Sequence, residues 1–365
     1  MIYLDYQATT PLAPEARDAM LRWLDGSGGE GFGNPHSPHR MGRAAHAAVE
    51  MAREQVASLF PANGRVIFTS GATEAVNLAI RGVLSAARSE GKPRGSVSVS
   101  AIEHACVLDT ARALGAAHIL NVAKDGQCNT KQDLPNDCRL VCLMQVNNEI
   151  GTIQPTVDWH RKAKEANALY LCDAVQAFGK MEVTGADLIA VSAHKLHGPK
   201  GIGALWVRNG VDLGEVQTGG GQEFGLRSGT LSPALCAGFG AAVAECKDRM
   251  GRDAEHIETL WQRARILFAG WDLNGSEDTR WHGNLNIRRK GLDVNRLMSD
   301  CRKVMFSAGS ACASGSGRPS HVLEAIGLSA KKAKSSIRLG WGRYTTLAEI
   351  EEAAEMINAA ADRQQ

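Results

Sequence analysis

The stretch Asp187-Leu-Ile-Ala-Val-Ser-Ala-His-Lys195 decides how this chain folds. Residues 188–192 form a short apolar run, which predicts a buried β-strand. The run ends in small and polar residues, so Lys195 is expected at the carboxyl end of that strand. Open α/β sheets bind their ligands at this edge. The stretch therefore predicts a sheet strand that delivers a lysine to a ligand site.

The residues around Lys195 favour a chemical role for its amine. His194 and Ser192 lie beside it in the sequence. Burial and a cationic neighbour both lower the pKa of a lysine amine, and a neutral amine can form a Schiff base. An isolated lysine after a strand is more often an exposed surface residue, so this stretch alone leaves both interpretations open. Lys200 lies in a Gly-Pro-Lys-Gly turn and fits a loop role better.

Short apolar runs alternate with helix-period segments on both sides of this strand. The alternation predicts βαβ units, and thus an α/β fold with a mostly parallel seven-stranded sheet and a smaller α+β domain. The main strands are predicted at 66–69, 97–100, 118–122, 140–146, 169–173, 188–192 and 204–207. Further strands are predicted at 284–287 and 336–339, and helices at 74–88, 233–268, 294–300, 321–326 and 347–361.

The bulk composition limits the classes of function. A chain of 365 residues with 44% hydrophobic and 22% charged residues can bury a large core, in roughly two domains. Lys and Arg number 41 against 39 Asp and Glu, so no basic excess favours nucleic acid. No apolar run approaches the ~18 residues of a membrane span, and no leader pattern opens the chain. We expect a cytoplasmic protein that binds neither membranes nor nucleic acid.

Nine cysteines are scattered along the chain. Most lie in apolar stretches, where a free cysteine behaves as a small hydrophobic residue, and we interpret eight of them as structural. The closest pair, Cys138 and Cys142, lacks a second ligand pair at the spacing of a zinc site. No metal site is expected.

Three further segments place polar residues where a strand ends. Ser70-Gly-Ala-Thr-Glu74 opens a helix, and its amides with the Thr73 hydroxyl could hold an anion, although a simple N-cap fits equally well. Asp173 could keep a pyridine nitrogen protonated, or it could cap a helix. His104 could stack on a flat cofactor and relay protons, although a lone histidine is more often structural.

Taken in this order, the motifs resemble the fold-type I pyridoxal-phosphate (PLP) enzymes of the class V aminotransferase group, and specifically the group I cysteine desulfurases. The resemblance runs essentially end to end. It also includes Tyr3-Leu-Asp-Tyr-Gln-Ala-Thr-Thr-Pro11, Gly33-Asn-Pro-His-Ser37, Val146-Asn-Asn-Glu-Ile-Gly151, Arg227-Ser-Gly-Thr230, Ser307-Ala-Gly-Ser-Ala-Cys312 and Ser335-Ser-Ile-Arg-Leu-Gly340. It implies a large PLP-binding domain at 12–245 and a small domain made of 1–11 and 246–365.

The resemblance also implies a role for each matching residue. Lys195 would form the Schiff base with PLP, Asp173 would pair with the pyridine nitrogen, and His104 would stack over the ring. Gln176 would bond the ring oxygen, and Asn147 would contact the cofactor. The phosphate would be held by Ala72, Thr73, Ser192 and His194, and by Thr230 of a neighbouring subunit. The substrate carboxylate would be held by Arg338, Asn147 and Asn34. A homodimer with shared sites follows from the role of Thr230.

Cys312 separates a desulfurase from a transaminase. It lies in a run rich in Gly and Ser, which predicts a loop able to swing. The resemblance implies that its thiolate takes the sulfur of L-cysteine as a persulfide, leaving alanine, and that a sulfur-acceptor protein then removes the sulfur. Iron–sulfur cluster assembly is one destination among several.

Two alternatives remain open from the sequence. The first is a PLP-dependent transaminase or selenocysteine lyase of the same fold, and the second is a noncatalytic sulfur-transfer scaffold. The chain also departs from the family pattern at three positions. Phe224 stands where the family more often has arginine, Gln222 where it has histidine, and His36 where it usually has serine.

Overall fold

Buried strands and amphipathic helices alternate along the chain, as their sequence periods predict. The computed structural model describes residues 1–24, 26–29, 31–89, 91, 95–183, 185–309 and 320–364. The strands are β1 (Ile2–Tyr3), β2 (Gly64–Thr69), β3 (Ser96–Ser100), β4 (Ala117–Leu120), β5 (Cys138–Cys142), β6 (Leu169–Asp173), β7 (Leu188–Ser192), β8 (Gly203–Arg208), β9 (Asp272–Leu273), β10 (Asn284–Arg288), β11 (Val304–Met305), β12 (Ser307–Ala308) and β13 (Ser336–Gly340).

Helices cover these strands. They are α1 (Pro14–Leu21), α2 (Arg40–Ala57), α3 (Ala72–Ser89), α4 (Ala105–Ala113), α5 (Thr156–Glu165), α6 (Pro233–Leu267), α7 (Val294–Asp300), α8 (His321–Ala325), α9 (Ala330–Lys334) and α10 (Leu347–Asp362). Capping residues in the sequence determine where several of these helices begin. Ser232 caps α6 by accepting from the Leu235 amide, and Thr346 with Glu349 forms a capping box on α10.

The largest sheet has seven strands in the order β2-β8-β7-β6-β5-β3-β4. Every neighbouring pair is parallel except the two pairs that β8 makes, so the sheet is mostly parallel as predicted. The carboxyl ends of β3, β5, β6 and β7 therefore meet at one edge. This edge is where the sequence predicted a ligand site.

The strand that carries the lysine is buried along its whole length. Ile189 and Val191 pack into one hydrophobic cluster with residues of α2, α5 and α6, whereas Leu188 and Ala190 pack into a second with residues of α3 and α4. Alternate residues of a strand face opposite sides, so helices cover both faces of the sheet. No helix within the described ranges is long and apolar enough to span a membrane.

A second sheet forms from the last third of the chain, in the order β12-β13-β10-β9, and β1 pairs in parallel with β11. The proposed boundary at 245/246 falls inside α6, a helix of 35 residues. The seven-stranded sheet lies before this boundary, and the second sheet lies after it. We therefore keep the division into 12–245, and 1–11 with 246–365, as a proposal.

Most predicted elements are present with ends shifted by one or two residues, and one strand is clearly shorter than predicted. The run 140–146 was expected to be strand throughout, but β5 ends at Cys142. The Met144 amide donates to Glu103 Oε1 at 2.8 Å. The Leu143 and Gln145 amides still donate to the Leu171 and Asp173 carbonyl oxygens of β6, at 3.1 and 3.0 Å, so a buried carboxyl group replaces a strand partner on one side of the segment only.

A buried ion pair ties α2 to the segment that carries Phe224. Both Arg53 Nη atoms lie 2.7 Å from the Glu223 carboxylate, which also accepts from the Phe68 amide at 2.6 Å. The Glu223 side chain is only 3% exposed. Phe224 itself is exposed, and the guanidinium groups of Arg53 and Arg65 lie 5.6 and 5.3 Å from its ring.

Arg53→Met should therefore lower the free energy of unfolding by about 3–5 kcal/mol, because it leaves the Glu223 carboxylate buried without its partner. Urea denaturation measures the loss. Arg17→Met is the matched control, since the Arg17–Asp18 pair at 2.8 Å is 62% exposed on both sides. That substitution should change stability by no more than about 0.5 kcal/mol. Equal losses of unfolding free energy in the two variants would contradict the assignment of Arg53 and Glu223 as a buried ion pair.

Candidate active site

The described residues enclose a cavity of about 560 Å³ at the carboxyl edge of the large sheet. This volume lies in the range of small-molecule sites. Its lining comes from the ends of successive strands, and from the N-terminal segment and β13. The predicted residues on its wall are Ala72, Thr73, His104, Asp173, Gln176, Ser192, His194, Lys195 and Arg338.

Lys195 reaches the cavity from a 3-10 turn, Ala193–Lys195, directly after β7. Its Nζ donates to the carbonyl oxygens of Gln7 and Ala8 at 2.6 and 2.7 Å. Carbonyl acceptors fix the position of the amine without supplying a negative charge. The amine is therefore held at the cavity wall by the backbone of the N-terminal segment.

The N-terminal segment is itself fastened to the lysine turn. The Thr10 amide and hydroxyl both donate to the His194 carbonyl oxygen at 3.0 Å, and Thr10 Oγ1 accepts from the His197 amide at 2.8 Å. His197 Nδ1 donates to the Pro11 carbonyl oxygen at 2.9 Å. A Cβ on Gly340 would clash with Gln7 Oε1, so the Gln7 side chain packs directly against the backbone of β13. We call residues 5–13 the N-terminal latch.

Asp173 ends β6 and is 6% exposed. Its Oδ1 accepts from the Val175 amide at 3.0 Å. Burial raises the pKa of the Asp173 carboxyl, while the nearby His104 and Lys195 oppose this rise when they are cationic. A cationic ring nitrogen placed beside Asp173 would favour the carboxylate in the same way. The position suits a carboxyl group that pairs with a ligand cation.

His104 caps α4 with its ring. Its Nδ1 lies 3.2 Å from the Cys106 amide, which can only donate, and 3.1 Å from Cys106 Sγ. In the neutral ring Nδ1 is therefore the acceptor and Nε2 carries the proton. Burial lowers the pKa of His104, which favours this neutral form. The structure thus assigns a tautomer to the ring.

One end of the cavity suits an anion. The first turn of α3 brings Ala72 and Thr73 to the wall, where unpaired amides and the helix dipole favour negative charge. Ser192 and His194 face them from the end of β7. His194 Nδ1 lies 3.1 Å from Thr9 Oγ1, and burial with the nearby Lys195 lowers the pKa of His194 to about 4.

Glu74 lies on the wall close to this anion end. Arg227 Nε pairs with its Oε1 at 2.7 Å, and the Ser70 amide donates to its Oε2 at 2.6 Å. Burial acts to raise the pKa of Glu74, but these hydrogen bonds outweigh it and the pKa is lowered overall. Arg227 therefore neutralises a carboxylate that would otherwise repel an anion.

Arg338 occupies the other end of the cavity. It lies on β13, is 1% exposed, and places Nη2 2.7 Å from Asp5 Oδ1 and Nη1 3.0 Å from the Asn148 carbonyl oxygen. Its buried Nε has no hydrogen-bond partner among the residues that the structure describes. A guanidinium group with a donor to spare is suited to a carboxylate ligand.

Three of the predicted site residues do not line this cavity. The side chain of Asn147 is buried in a turn, where Oδ1 accepts from the Glu149 and Ile150 amides at 2.9 Å and Nδ2 donates to the Ile102 carbonyl oxygen. Its neighbour Asn148 lines the cavity instead. Because Asn147 closes the turn, we replace it by Asn148 in the proposed site. Asn34 and Thr230 are exposed and lie off the cavity wall.

Cys312 belongs to 310–319, which lies outside the described residues, so the predicted loop and its thiol stay predictions. The described residues on either side are placed near the cavity end that holds Arg338. Arg338 Nη2 lies 3.4 Å from Ser307 Oγ, and the Ser320 hydroxyl donates to Glu149 Oε2 at 2.5 Å.

Several residues of the wall were missed in the sequence. They include Gln7, Ala8, Cys106, Asn148 and also Lys200, for which the sequence had favoured a loop role. Gln7 and Ala8 contribute backbone carbonyl oxygens, which no side-chain pattern reveals. Cys106 follows His104 by two residues, the spacing at which an amide reaches back to a capping side chain, and this spacing could have indicated it.

A family model described as aminotransferase class-V matches residues 2–352. The chain belongs to the class-V aminotransferase family. Enzymes of this family depend on PLP, as the motifs implied. The match spans both of the sheets described above, so it covers the cavity and the elements that form it.

Individual proteins agree with this membership. A mitosomal cysteine desulfurase of Trachipleistophora hominis is 42% identical over 385 residues, covering 99% of this chain and 86% of that protein. A solved NifS-like protein superposes with a TM-score of 0.89 at 28% identity, covering 99% of each chain. A solved structure described as SspA in complex with cysteine has a TM-score of 0.82 at 32% identity, covering 95% of this chain and 100% of that one. The predicted α/β fold of a fold-type I PLP enzyme is confirmed.

The donor set of the cavity fits PLP group by group. The cofactor carries a ring nitrogen, a ring oxygen, an aldehyde and a phosphate. The cavity offers a buried carboxyl group, an amide, a fixed amine and a helix N-terminus for these groups, in Asp173, Gln176, Lys195 and α3. The guanidinium group of Arg338, which also lines the cavity, remains for an anionic group of a substrate.

His197 bonds to the N-terminal latch, so we expect the free energy of unfolding to depend on the ionisation of His197. Burial and the nearby Arg343 lower the pKa of His197 to about 4, against 6.5 for the free group. The unfolded chain takes up this proton as the pH falls below about 6.5, and the folded protein does not until about pH 4. Folding stability is therefore lost as the pH falls through this window.

His197→Asn should reduce that loss, by up to about 1.4 kcal/mol per pH unit. Asparagine tolerates the positive φ of 66° at this position and can still donate to the Pro11 carbonyl oxygen. Urea denaturation of both proteins between pH 4 and 7 measures the two slopes. Measurements at pH 7–8, where the imidazole is neutral in both states, serve as the control. Identical slopes below pH 6.5 would refute this role of His197.

Proposed function

We propose that this protein is a PLP-dependent cysteine desulfurase, which converts L-cysteine to L-alanine and carries the released sulfur as a persulfide on Cys312. One observation supports this most directly. A fixed amine, a buried carboxyl group and a guanidinium with an unpartnered donor, from Lys195, Asp173 and Arg338, converge on one cavity. The names of a similar desulfurase and of a cysteine-bound structural neighbour support the substrate.

The proposal assigns each part of the wall to one part of the cofactor. Lys195 would bind the aldehyde, Asp173 the ring nitrogen and Gln176 the ring oxygen, with the His104 ring against the cofactor face. The phosphate would lie at the start of α3, held by Ala72, Thr73, Ser192 and His194. When bound, PLP supplies an electron sink for the electron pair left on the substrate α-carbon.

Arg338 is the proposed receptor of the substrate carboxylate. Its Nη2 and Nη1 are committed to Asp5 and to the Asn148 carbonyl oxygen, so the guanidinium plane is fixed before substrate arrives. The guanidinium group lines the cavity together with Asn148, so its positive charge is presented to a carboxylate bound there. A preorganised donor of this kind orients the amino acid without loss of side-chain freedom on binding.

Two side chains are placed to move protons. Nζ of Lys195, once free of the aldehyde, would take the proton from the substrate α-carbon and return it to the product. His104 carries its own proton on Nε2, because Nδ1 accepts from the Cys106 amide. Nε2 can therefore donate to a sulfur or nitrogen atom in the cavity while the ring stays anchored.

The sulfur step is proposed for the Cys312 thiolate. The thiolate sulfur attacks the sulfur of L-cysteine, so the new sulfur–sulfur bond forms as the substrate carbon–sulfur bond breaks. The electron pair of the broken bond and one proton remain with the three-carbon fragment, which leaves as alanine. A second thiol, on an acceptor protein, removes the terminal sulfur and restores Cys312.

The finer parts of the assignment follow from the family resemblance. We propose a homodimer in which the exposed Thr230 of one subunit reaches the phosphate site of the other. Delivery of sulfur to an iron–sulfur scaffold or to another carrier is part of the same proposal. The predicted cytoplasmic location stays a prediction, since the similar protein of Trachipleistophora hominis is mitosomal.

Cys312→Ala tests the function directly. The variant should still bind L-cysteine and change the visible absorbance of PLP, but release almost no sulfide, because the attacking thiolate is gone. Sulfide assays and mass spectrometry of the peptide containing residue 312, after incubation with 35S-labelled or 34S-labelled cysteine, measure the result. Cys301→Ala, the same change at a buried cysteine off the cavity wall, is the control. Full turnover by Cys312→Ala would refute the desulfurase proposal and favour a transaminase or lyase.

Arg338→Lys should raise KM for L-cysteine about 10- to 100-fold and change kcat less. An ammonium group keeps the charge beside Asp5 but loses the planar fork that can bind a carboxylate. Steady-state kinetics with L-cysteine separate the two constants. An unchanged KM would show that the carboxylate binds elsewhere.

A further inference from the structure

A second lysine lies behind the Lys195 amine. Lys180 follows β6 by seven residues, and its Nζ lies 3.2 Å from Gln176 Oε1. The other end of the same amide, Gln176 Nε2, donates to the Gln7 carbonyl oxygen at 3.0 Å. That carbonyl oxygen also accepts from Lys195 Nζ at 2.6 Å. A continuous chain of hydrogen bonds thus joins the two lysines through Gln176 and the latch.

These contacts define which way the Gln176 amide points. The Gln7 carbonyl oxygen can only accept, so the atom facing it must be the amide nitrogen. Lys180 supplies a donor to the amide oxygen on the opposite side. The nitrogen has two protons, and one is used by Gln7, so the other remains for a ligand on the cavity side. If the amide rotated by 180°, its oxygen would face the Gln7 oxygen and Nε2 would face the Lys180 amine.

The residues around Lys180 define the environment of its amine. It borders a small cavity of about 30 Å³, also lined by His197, Cys246, Asp253 and Arg343. Asp253 is the acid among the described residues of that lining, and its carboxylate pairs with Arg343 at 2.7 Å. Burial and the nearby Lys195 lower the pKa of Lys180 to about 7. The amine is therefore not held there by a salt bridge to this acid.

We propose that Lys180 is a positioning residue of the active site, which locks the Gln176 amide with its free N–H toward the ring oxygen of the cofactor. The inference rests on the proposed function, because Gln176 meets that oxygen only if PLP occupies the cavity. Lys180 touches neither cofactor nor substrate and acts through Gln176 alone. Its chemical effect is to stabilise negative charge on the ring oxygen.

The expected readout is the pH titration of the visible absorbance of the bound cofactor. A hydrogen bond donated to the ring oxygen stabilises the negative charge on that oxygen. It thereby lowers the pKa of the neighbouring nitrogen, which joins the cofactor aldehyde carbon to Lys195. Lys180→Met removes the donor to the amide oxygen and weakens the hold on the Gln176 amide, so the midpoint should rise by up to about 1 pH unit, the effect of one hydrogen bond to a charged group. Lys180→Arg keeps a donor and should restore the wild-type midpoint. Lys247→Met, at an exposed site on α6, is the matched control.

A double-mutant cycle separates positioning from charge. If Lys180 acts through Gln176, then Lys180→Met should move the midpoint by less than about 0.3 pH unit in a Gln176→Ala background. A shift of equal size in both backgrounds would show that Lys180 acts by its charge alone, and no shift in either would show that it does not act on the cofactor. Both results overturn the proposal.

A measurement without cofactor distinguishes this inference from the proposed function. In apoprotein labelled with [15N]glutamine, the side-chain amide signals of Gln176 are assigned by their loss in Gln176→Ala. Lys180→Met should shift or broaden these signals, and Lys247→Met should not. Unchanged signals in Lys180→Met would overturn the inference even if the enzyme binds PLP. A wild-type protein that binds no PLP, but whose Gln176 signals respond to Lys180→Met, would instead overturn the proposed function and leave the amide lock in place.

Discussion

The site depends on one constraint, which is that the Lys195 amine must be held in a fixed position at the carboxyl edge of the sheet. The carbonyl oxygens of Gln7 and Ala8 accept from this amine at 2.6 and 2.7 Å. Gln7 lies 188 residues away from Lys195 in the sequence, and this explains why the N-terminal latch is fastened so thoroughly to the lysine turn.

Other polar side chains of the cavity wall are also oriented by hydrogen bonds to neighbouring residues. His104 keeps Nε2 protonated because the first turn of α4 occupies Nδ1. Arg338 holds its guanidinium plane in one orientation because Asp5 and the Asn148 carbonyl oxygen bind its two Nη atoms. Gln176 presents an N–H because Gln7 and Lys180 fix its two ends. In each case a group that does not meet the substrate decides which atom of a neighbouring side chain faces the cavity.

The sequence predicted the main sheet and much of the wall, because both depend on local patterns. Apolar runs that end in polar residues located Asp173 and Lys195, since parallel strands end at one edge. Asn147 and Asn148 could not be separated, because either amide could close the turn and only the backbone path decides between them. The strand predicted to reach 146 ends at Cys142, because Glu103, which is distant in sequence, takes the Met144 amide on one side, although the Gln145 amide still donates to the Asp173 carbonyl oxygen on the other. Lys180 carried no local signal, because its partner is a side-chain oxygen.

The pairing of Asp5 with Arg338 joins residues 333 positions apart. The ribosome releases Asp5 long before Arg338, so the two halves of this contact coexist only after residue 338 has been synthesised. The large sheet can form earlier, since its strands end at Arg208. A nascent chain can therefore pass through a stage in which the sheet and its cofactor-holding residues are in place, while the substrate carboxylate site supplied by Arg338 is still unfinished.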